Sequence, residues 1–199
     1  MTRVKEHGEF KVYFDERGEP VKVEYRGETY DVEAESVAMP LSEVADLKLR
    51  DIPPEVSIEP LKARAGSHIQ PIQYSSLEYM DYTIYIGNNG AAINAYILFE
   101  EEEERTPPSH QYAKALEDLA KTLKKAGTLK RVDTWLNSDS YAVYLEAPAH
   151  PDKTIGEAVE TIKKAIRSLE EAARLKALGK PHGEELKEAE KHLRQLATK

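Results

Sequence analysis

Five side chains, Tyr85, Tyr96, Arg131, Trp135 and Tyr144, fall at strand-alternating positions that would turn them to one side of a sheet. Strand side chains alternate between faces, so Tyr82, Ile84, Ile86, Ile93, Ala95, Ile97, Phe99, Tyr141, Val143 and Leu145 form one face. The other then holds Thr83, Tyr85, Asn94, Tyr96, Leu98 and Tyr144, joined by Arg131 and Trp135 if Val132 and Leu136 turn inward. Rings and a guanidinium on an open sheet stack unpaired bases at about 1–3 kcal/mol per base, largely regardless of base sequence. Lys114, Lys121, Lys125 and Lys130 are the cations at hand for phosphates. The plainer alternative is that a second layer covers this face and makes it sandwich core, since several exposed aromatics are uncommon in a monomer.

No other group reaches catalytic or metal-binding quality. Zero cysteines exclude disulfides, thiolate metal sites and cysteine nucleophiles. The histidines (7, 68, 110, 150, 182 and 192) never fall at a metal-ligand spacing. Glu100 to Glu104 is a run of adjacent carboxylates, which points in all directions and reads as a solvated strand exit. In the polar stretch 66–76, Ser67, His68 and Tyr74 are the groups an active site would use, yet adjacency in sequence does not make a nucleophile–base pair. Gly87-Asn88-Asn89-Gly90 is a hairpin turn, whose Asn and Gly tolerate positive φ. His150-Pro151-Asp152 reads as a turn and helix start. No metal and no cofactor is expected.

The elements that position the aromatic residues repeat one pattern. A strand hairpin at 82–99 is followed by a helix over 111–126, and a second hairpin at 128–146 by a helix opening at Thr154. This ββα-ββα layout over residues 81–178 predicts an α+β fold: a four-stranded antiparallel sheet with helices on one face. Ser109 is placed to cap the first helix and Gly127 to end it. Thr154-x-x-Glu157 is a capping box, and Ile155, Val159, Ile162, Ile166, Leu169 and Ala173 form the second helix's stripe, widened by Ala158, Ala165 and Ala172. Gly179 to Gly183 breaks that helix, and the C-terminal segment 179–199 goes on into a last helix with Leu186, Ala189, Leu193 and Leu196 on one side, giving a C-terminal helical hairpin.

Residues 1–80 read differently. Alternation over 9–35 predicts a three-stranded β-meander, and a short helix follows Pro40 with Ser42 as its cap. Prolines 53, 54 and 60 exclude a long helix, leaving an extended connection over 51–80 with a hidden strand near Leu61 to Ala65.

Composition narrows the function class. Of 199 residues, 32% are charged and 40% apolar, with mean hydropathy −0.62, which describes a well-solvated globular chain. Asn and Gln are scarce and Glu, Lys and Arg plentiful, a thermophile-like balance. The chain shows no spanning segment and no signal-like apolar run, so a cytoplasmic location and no membrane partner are expected. Residues 1–105 carry 11 basic and 22 acidic side chains and residues 106–199 carry 17 and 14, so the N-terminal half repels phosphate backbones. The reading is a non-catalytic binding module taking single-stranded DNA or RNA on Tyr85, Tyr96, Arg131, Trp135 and Tyr144. The alternative is a protein–protein assembly or adaptor subunit that uses the acidic N-terminal half and self-associates or docks through the C-terminal helices.

Overall fold

The computed structural model describes residues 3–62, 64–65, 68–69, 72, 79–99 and 105–199. Its strands are β1 (Arg3–His7), β2 (Phe10–Phe14), β3 (Pro20–Tyr25), β4 (Glu28–Glu33), β5 (Ser36–Pro40), β6 (Ser57–Leu61), β7 (Arg64–Ala65), β8 (His68–Ile69), β9 (Met80–Ile86), β10 (Gly90–Leu98), β11 (Arg131–Leu136) and β12 (Ser140–Pro148). The helices are α1 (Leu41–Val44), α2 (Ser109–Lys125), α3 (Ile155–Ala177) and α4 (Gly183–Ala197), with a 3-10 turn at Leu49–Asp51. The protein is mixed α+β, and its large sheet runs β1-β2-β3-β4-β5-β6-β9-β10-β12-β11 while β7 and β8 pair separately.

The sheet therefore has ten strands, not the four expected from residues 81–178. The expectation sets the N-terminal strands apart as a separate element. A bare strand edge carries unpaired N–H and C=O groups, and β6 instead meets β9 through Ile58 and Ile86. The chain divides into two compact units. One comprises Met1–Ile72, Ile84–Ala91 and His150–Ala158; the other comprises Gln73–Thr83, Ala92–Ala149 and Val159–Lys199.

In the first unit the meander has four strands rather than three, and β5 follows it antiparallel to β4. β1 escapes a hydrophobic pattern because Arg3, Val4, Lys5 and Glu6 are all exposed. Phe10 pairs with Tyr25 across β2 and β3, and their rings stack with centroids 4.5 Å apart. β5 and β6 are parallel, which demands a crossover, and residues 41–56 supply it with α1 and the 3-10 turn. Pro40 occupies the cap of α1 without a side-chain bond, so Ser42 lies inside the helix and is not its cap. The His150-Pro151-Asp152 turn is held here by Arg50, whose guanidinium pairs with Asp152 and whose N–H donates to the Pro151 carbonyl at 3.0 Å. Gly156 N–H donates to the Ala45 carbonyl at 3.0 Å, and a Cβ on Gly156 would come within 3.2 Å of that oxygen. Glycine is what lets the two backbones approach.

In the second unit the hydrophobic alternation holds. Tyr82, Ile93, Ala95, Ile97, Tyr141, Val143 and Leu145 are buried on one face, and Phe99 is half-buried. α2 covers that face, since Tyr141 hydroxyl donates to the Glu117 carboxylate at 2.5 Å. The helix opens on Ser109, which is buried, and the cap position falls to Pro108 rather than to Ser109. Its other end is as expected. Gly127 takes φ +84°, its N–H donates to the Lys124 carbonyl, and Thr128 N–H donates to the Leu123 carbonyl, a Schellman closure. The α3 stripe is buried from Val159 through Ala173, and Thr154 Oγ accepts from Glu157 N–H at 3.2 Å at its start, a cap worth about 1 kcal/mol. α4 contacts β12 and buries Ala189, Leu193 and Leu196 within the unit. Among the described residues no helix is long and apolar enough to cross a membrane.

Candidate functional site

Four of the five stacking candidates, Tyr96, Arg131, Trp135 and Tyr144, belong to the second unit, while Tyr85 belongs to the first and is half-buried. β11 and β12 pair antiparallel with Arg131 opposite Glu146, Asp133 opposite Tyr144, and Trp135 opposite Ala142. Directly opposed residues share a face, so Arg131, Asp133, Trp135, Ala142, Tyr144 and Glu146 lie together on the side away from α2. Val132, Thr134 and Leu136 take the other side, as the alternation requires.

β10 adds the next row. Phe99 N–H donates to the Asp139 carbonyl at 2.9 Å, which brings the end of β10 beside the start of β12. Carried along both strands, that register sets Tyr96 against Ala142, which in turn faces Trp135. Tyr96, Leu98 and Trp135 are 55%, 60% and 52% exposed. The face is therefore open at these positions. Two strand steps separate Tyr96 from Trp135, about 9.6 Å, with only the Ala142 methyl between them. One planar ring in contact on both sides needs about 7 Å.

The electrostatics of the face are less favourable to phosphate. Arg131 Nε lies 2.5 Å from an Asp133 carboxylate oxygen, with a Glu146 oxygen 3.8 Å from its Nη1, and its guanidinium stands 5.4 Å from the Tyr144 ring centre. Tyr144 hydroxyl donates to Glu146 at 2.6 Å, and burial together with that carboxylate pushes it up to about 12. One cation thus serves two carboxylates. Lys114, Lys121 and Lys125 ride on α2, on the opposite side of the sheet, and Lys121 is already held by Glu117 at 2.7 Å. Only Lys130, exposed just before β11, stays near the face.

The remaining sequence candidates fall elsewhere. Glu100 to Glu104, Ser67 and Tyr74 lie outside the described residues, and of His68 only the backbone is described, paired in β8. Among the described residues no three His, Cys, Asp or Glu side chains gather as a metal site would require.

A feature the sequence reading missed is a cavity of about 460 Å³ in the first unit, lined by Tyr25, Arg26, Glu28, Glu43, Asp46 and Asp51 among others. Arg26 holds φ +51° in the turn before Gly27, which brings its guanidinium over the Tyr25 ring at 5.0 Å and onto Glu9 at 3.1 Å. The Arg-Gly turn is the only signal in the sequence that could have marked it. Tyr30 hydroxyl donates to Glu43, one of the lining carboxylates, at 2.6 Å. Of its lining groups, Glu9 and Arg26 pair with each other, and Glu28 and Glu43 both accept from the Tyr30 hydroxyl. Compared with protein-family models, with curated proteins and with solved structures, the chain finds no match.

Proposed function

We propose that this chain is a non-catalytic binding module whose ligand lies on the open face formed by β10, β12 and β11, and that the ligand is a segment of another protein. The carrying observation is the exposure of Tyr96, Leu98 and Trp135 on one face, where neighbouring strands would bring them together. Exposed aromatic and aliphatic side chains grouped in this way are what a partner's desolvated contacts use. On the face itself Arg131 against Asp133 and Glu146 sums to −1, with Lys130 just outside it before β11. Such a face favours a neutral or cationic polypeptide over a phosphate backbone, whose binding needs cations in excess.

Single-stranded nucleic acid is the second reading, and one observation favours it. The row Tyr96, Ala142, Trp135 has the width to take one base between two rings.

Trp135 is the chain's single tryptophan, so its emission reports from this face, read at a fixed protein concentration. The probes are a peptide of alternating arginine and phenylalanine, its glutamate-for-arginine counterpart, and oligo-dT and oligo-rU, each at low and near-physiological salt. The expected result is a shift of Trp135 emission with the arginine peptide only, lost in Tyr96→Ser/Leu98→Ser. Oligonucleotide binding that survives near-physiological salt would replace the protein reading by the stacking one. No response to any probe would remove both.

A further inference from the structure

We infer that β11 is a self-complementary edge through which two copies of this chain join their sheets, antiparallel and centred on Thr134. This does not depend on which ligand the open face takes. β11 stands last in the strand order, and among the described residues nothing pairs with its outer side. The opposite end of the order is blunted. There β1 presents Arg3, Lys5, Glu6 and His7 in a five-residue strand, the usual defence of an edge. β11 ends instead in Trp135 and Leu136, the latter 70% exposed.

The backbone bonds decide which residues face outward. Asn137 N–H donates to the Ser140 carbonyl at 2.9 Å, and residues 137 and 140 continue the register that pairs Trp135 with Ala142. Hydrogen-bonded pairs alternate along an antiparallel ladder, so residues 137, 135, 133 and 131 bond inward to β12. Lys130 N–H also reaches the Glu146 carbonyl at 2.7 Å, as beside a bonded Arg131–Glu146 pair at a bulge. Val132, Thr134 and Leu136 therefore turn their N–H and C=O groups to the free edge.

Only a few registers let two such edges meet. Side chains must stay on matching faces, and the outward residues must oppose one another. Centring on Asp133 meets both conditions but sets Asp133 against itself, two like charges directly opposed. Centring on Thr134 sets Thr134 against Thr134 and Val132 against Leu136, with up to about six backbone hydrogen bonds. It covers the exposed Leu136 with a β-branched side chain on the same face. On the other face it puts Trp135 opposite Asp133 of the second copy, with that copy's Arg131 on the diagonal about 7–8 Å away. The two-fold axis stands perpendicular to the sheet, so both aromatic faces end on the same side. A contact of this size, one strand edge and its flanking side chains, is below that of a permanent dimer, so the association depends on concentration.

The test is mass in solution by sedimentation equilibrium, from about 10 μM to about 1 mM, with cross-linking in a chain that has no cysteine of its own. The wild type is expected to rise from 22.5 kDa toward twice that mass. Leu136→Lys should hold it monomeric with an unchanged melting temperature, and Leu136→Pro, which removes an outward N–H without touching the β12 ladder, should do the same. In the proposed register the two Thr134 Cα atoms stand about 5.5 Å apart, inside the disulfide range. Thr134→Cys should therefore cross-link to itself on mild oxidation. Val132→Cys and Leu136→Cys should each fail alone, since like positions are about 13 Å apart, and should cross-link when mixed. A monomer at every concentration, a dimer that Leu136→Lys leaves intact, or equal self-cross-linking at all three positions would each overturn the proposal.

Discussion

Tyr141 hydroxyl donates to the Glu117 carboxylate at 2.5 Å, tying β12 to the helix that covers it. Lys121, one turn along α2, bonds the same carboxylate at 2.7 Å. The Lys121 ammonium and the Tyr141 hydroxyl together hold the Glu117 carboxyl below its ordinary range. Burial, then the carboxylate, pushes the Tyr141 hydroxyl well above its own. A folded-state value below the unfolded one means stability that is complete above the unfolded glutamate value and is lost as pH falls through the folded one. Tyr141→Phe should cost about 2 kcal/mol at pH 7, as expected for a hydrogen bond to a charged acceptor. The gap between variant and wild type should narrow once Glu117 is protonated. Lys121 is 57% exposed, so its ion pair is screened by solvent and Lys121→Met should cost far less than Tyr141→Phe. Urea unfolding from pH 7 to pH 3 checks both, and a Tyr141→Phe deficit that stays constant with pH would refute the linkage.

Ala34 and Glu35 hold φ +50° and +63° between Glu33 and Ser36, which pair across β4 and β5. Two positive φ values in a two-residue loop make a type I′ turn, whose preferred residues are Asn and Gly. Each non-glycine residue in this region costs about 1–2 kcal/mol. Both side chains are exposed, so replacing them disturbs little else, and Ser57 N–H donates to the Glu35 carbonyl, which any residue supplies. Ala34→Asn with Glu35→Gly should stabilise the chain by about 1 kcal/mol net, after the added freedom of glycine in the unfolded chain is deducted. A melting temperature that fails to rise would mean the turn is not strained.

That turn also explains what the sequence could and could not tell. The turn at Arg26-Gly27 is marked by a glycine, as are Gly87 to Gly90 and the helix end at Gly127, and the elements around them were legible. Ala34-Glu35 carries no turn residue, so β5 beyond it has no punctuation, and β1 has no apolar alternation to betray it. β6 contains Pro60, whose missing donor argues against a strand, yet Pro60 lies in the β5–β6 pair opposite Met39. A sheet of ten strands was beyond reach because edge-to-edge pairing is written in backbone groups that every residue shares.

The faces of the sheet were legible for the opposite reason. Tyr82, Ile93, Ile97, Tyr141 and Val143 are buried, while Tyr96 and Trp135 are exposed, because alternation with period two is a side-chain property. The state of Arg131 was not legible. Asp133 stands two residues away and Glu146 on the next strand, and only the register brings both carboxylates to its guanidinium. A local charge balance of this kind is a product of pairing rather than of composition.

Tyr112 and Tyr79 stack inside the second unit with centroids 4.4 Å and planes 11° apart, yet their hydroxyls meet different fates. Tyr79 hydroxyl donates to the Pro107 carbonyl at 2.5 Å. Tyr112 hydroxyl is fully buried and has no hydrogen-bond partner among the described residues. Burial first, and then the nearby Glu170, push it far above the ordinary tyrosine range. An unpaired buried hydroxyl carries a desolvation penalty of about 1–3 kcal/mol with nothing in return. Tyr112→Phe keeps the ring, the stack and the volume while removing that penalty, and should stabilise the protein by about 1 kcal/mol. Tyr79→Phe removes a bond and strands the Pro107 carbonyl, and should destabilise it by a similar amount. Opposite signs from two rings of one stack are a demanding outcome, readable by urea denaturation of the two single variants. A loss of stability in Tyr112→Phe would mean that its hydroxyl does find an acceptor in solution, and would bring Glu170, the one fully buried carboxylate among the described residues, forward as that acceptor.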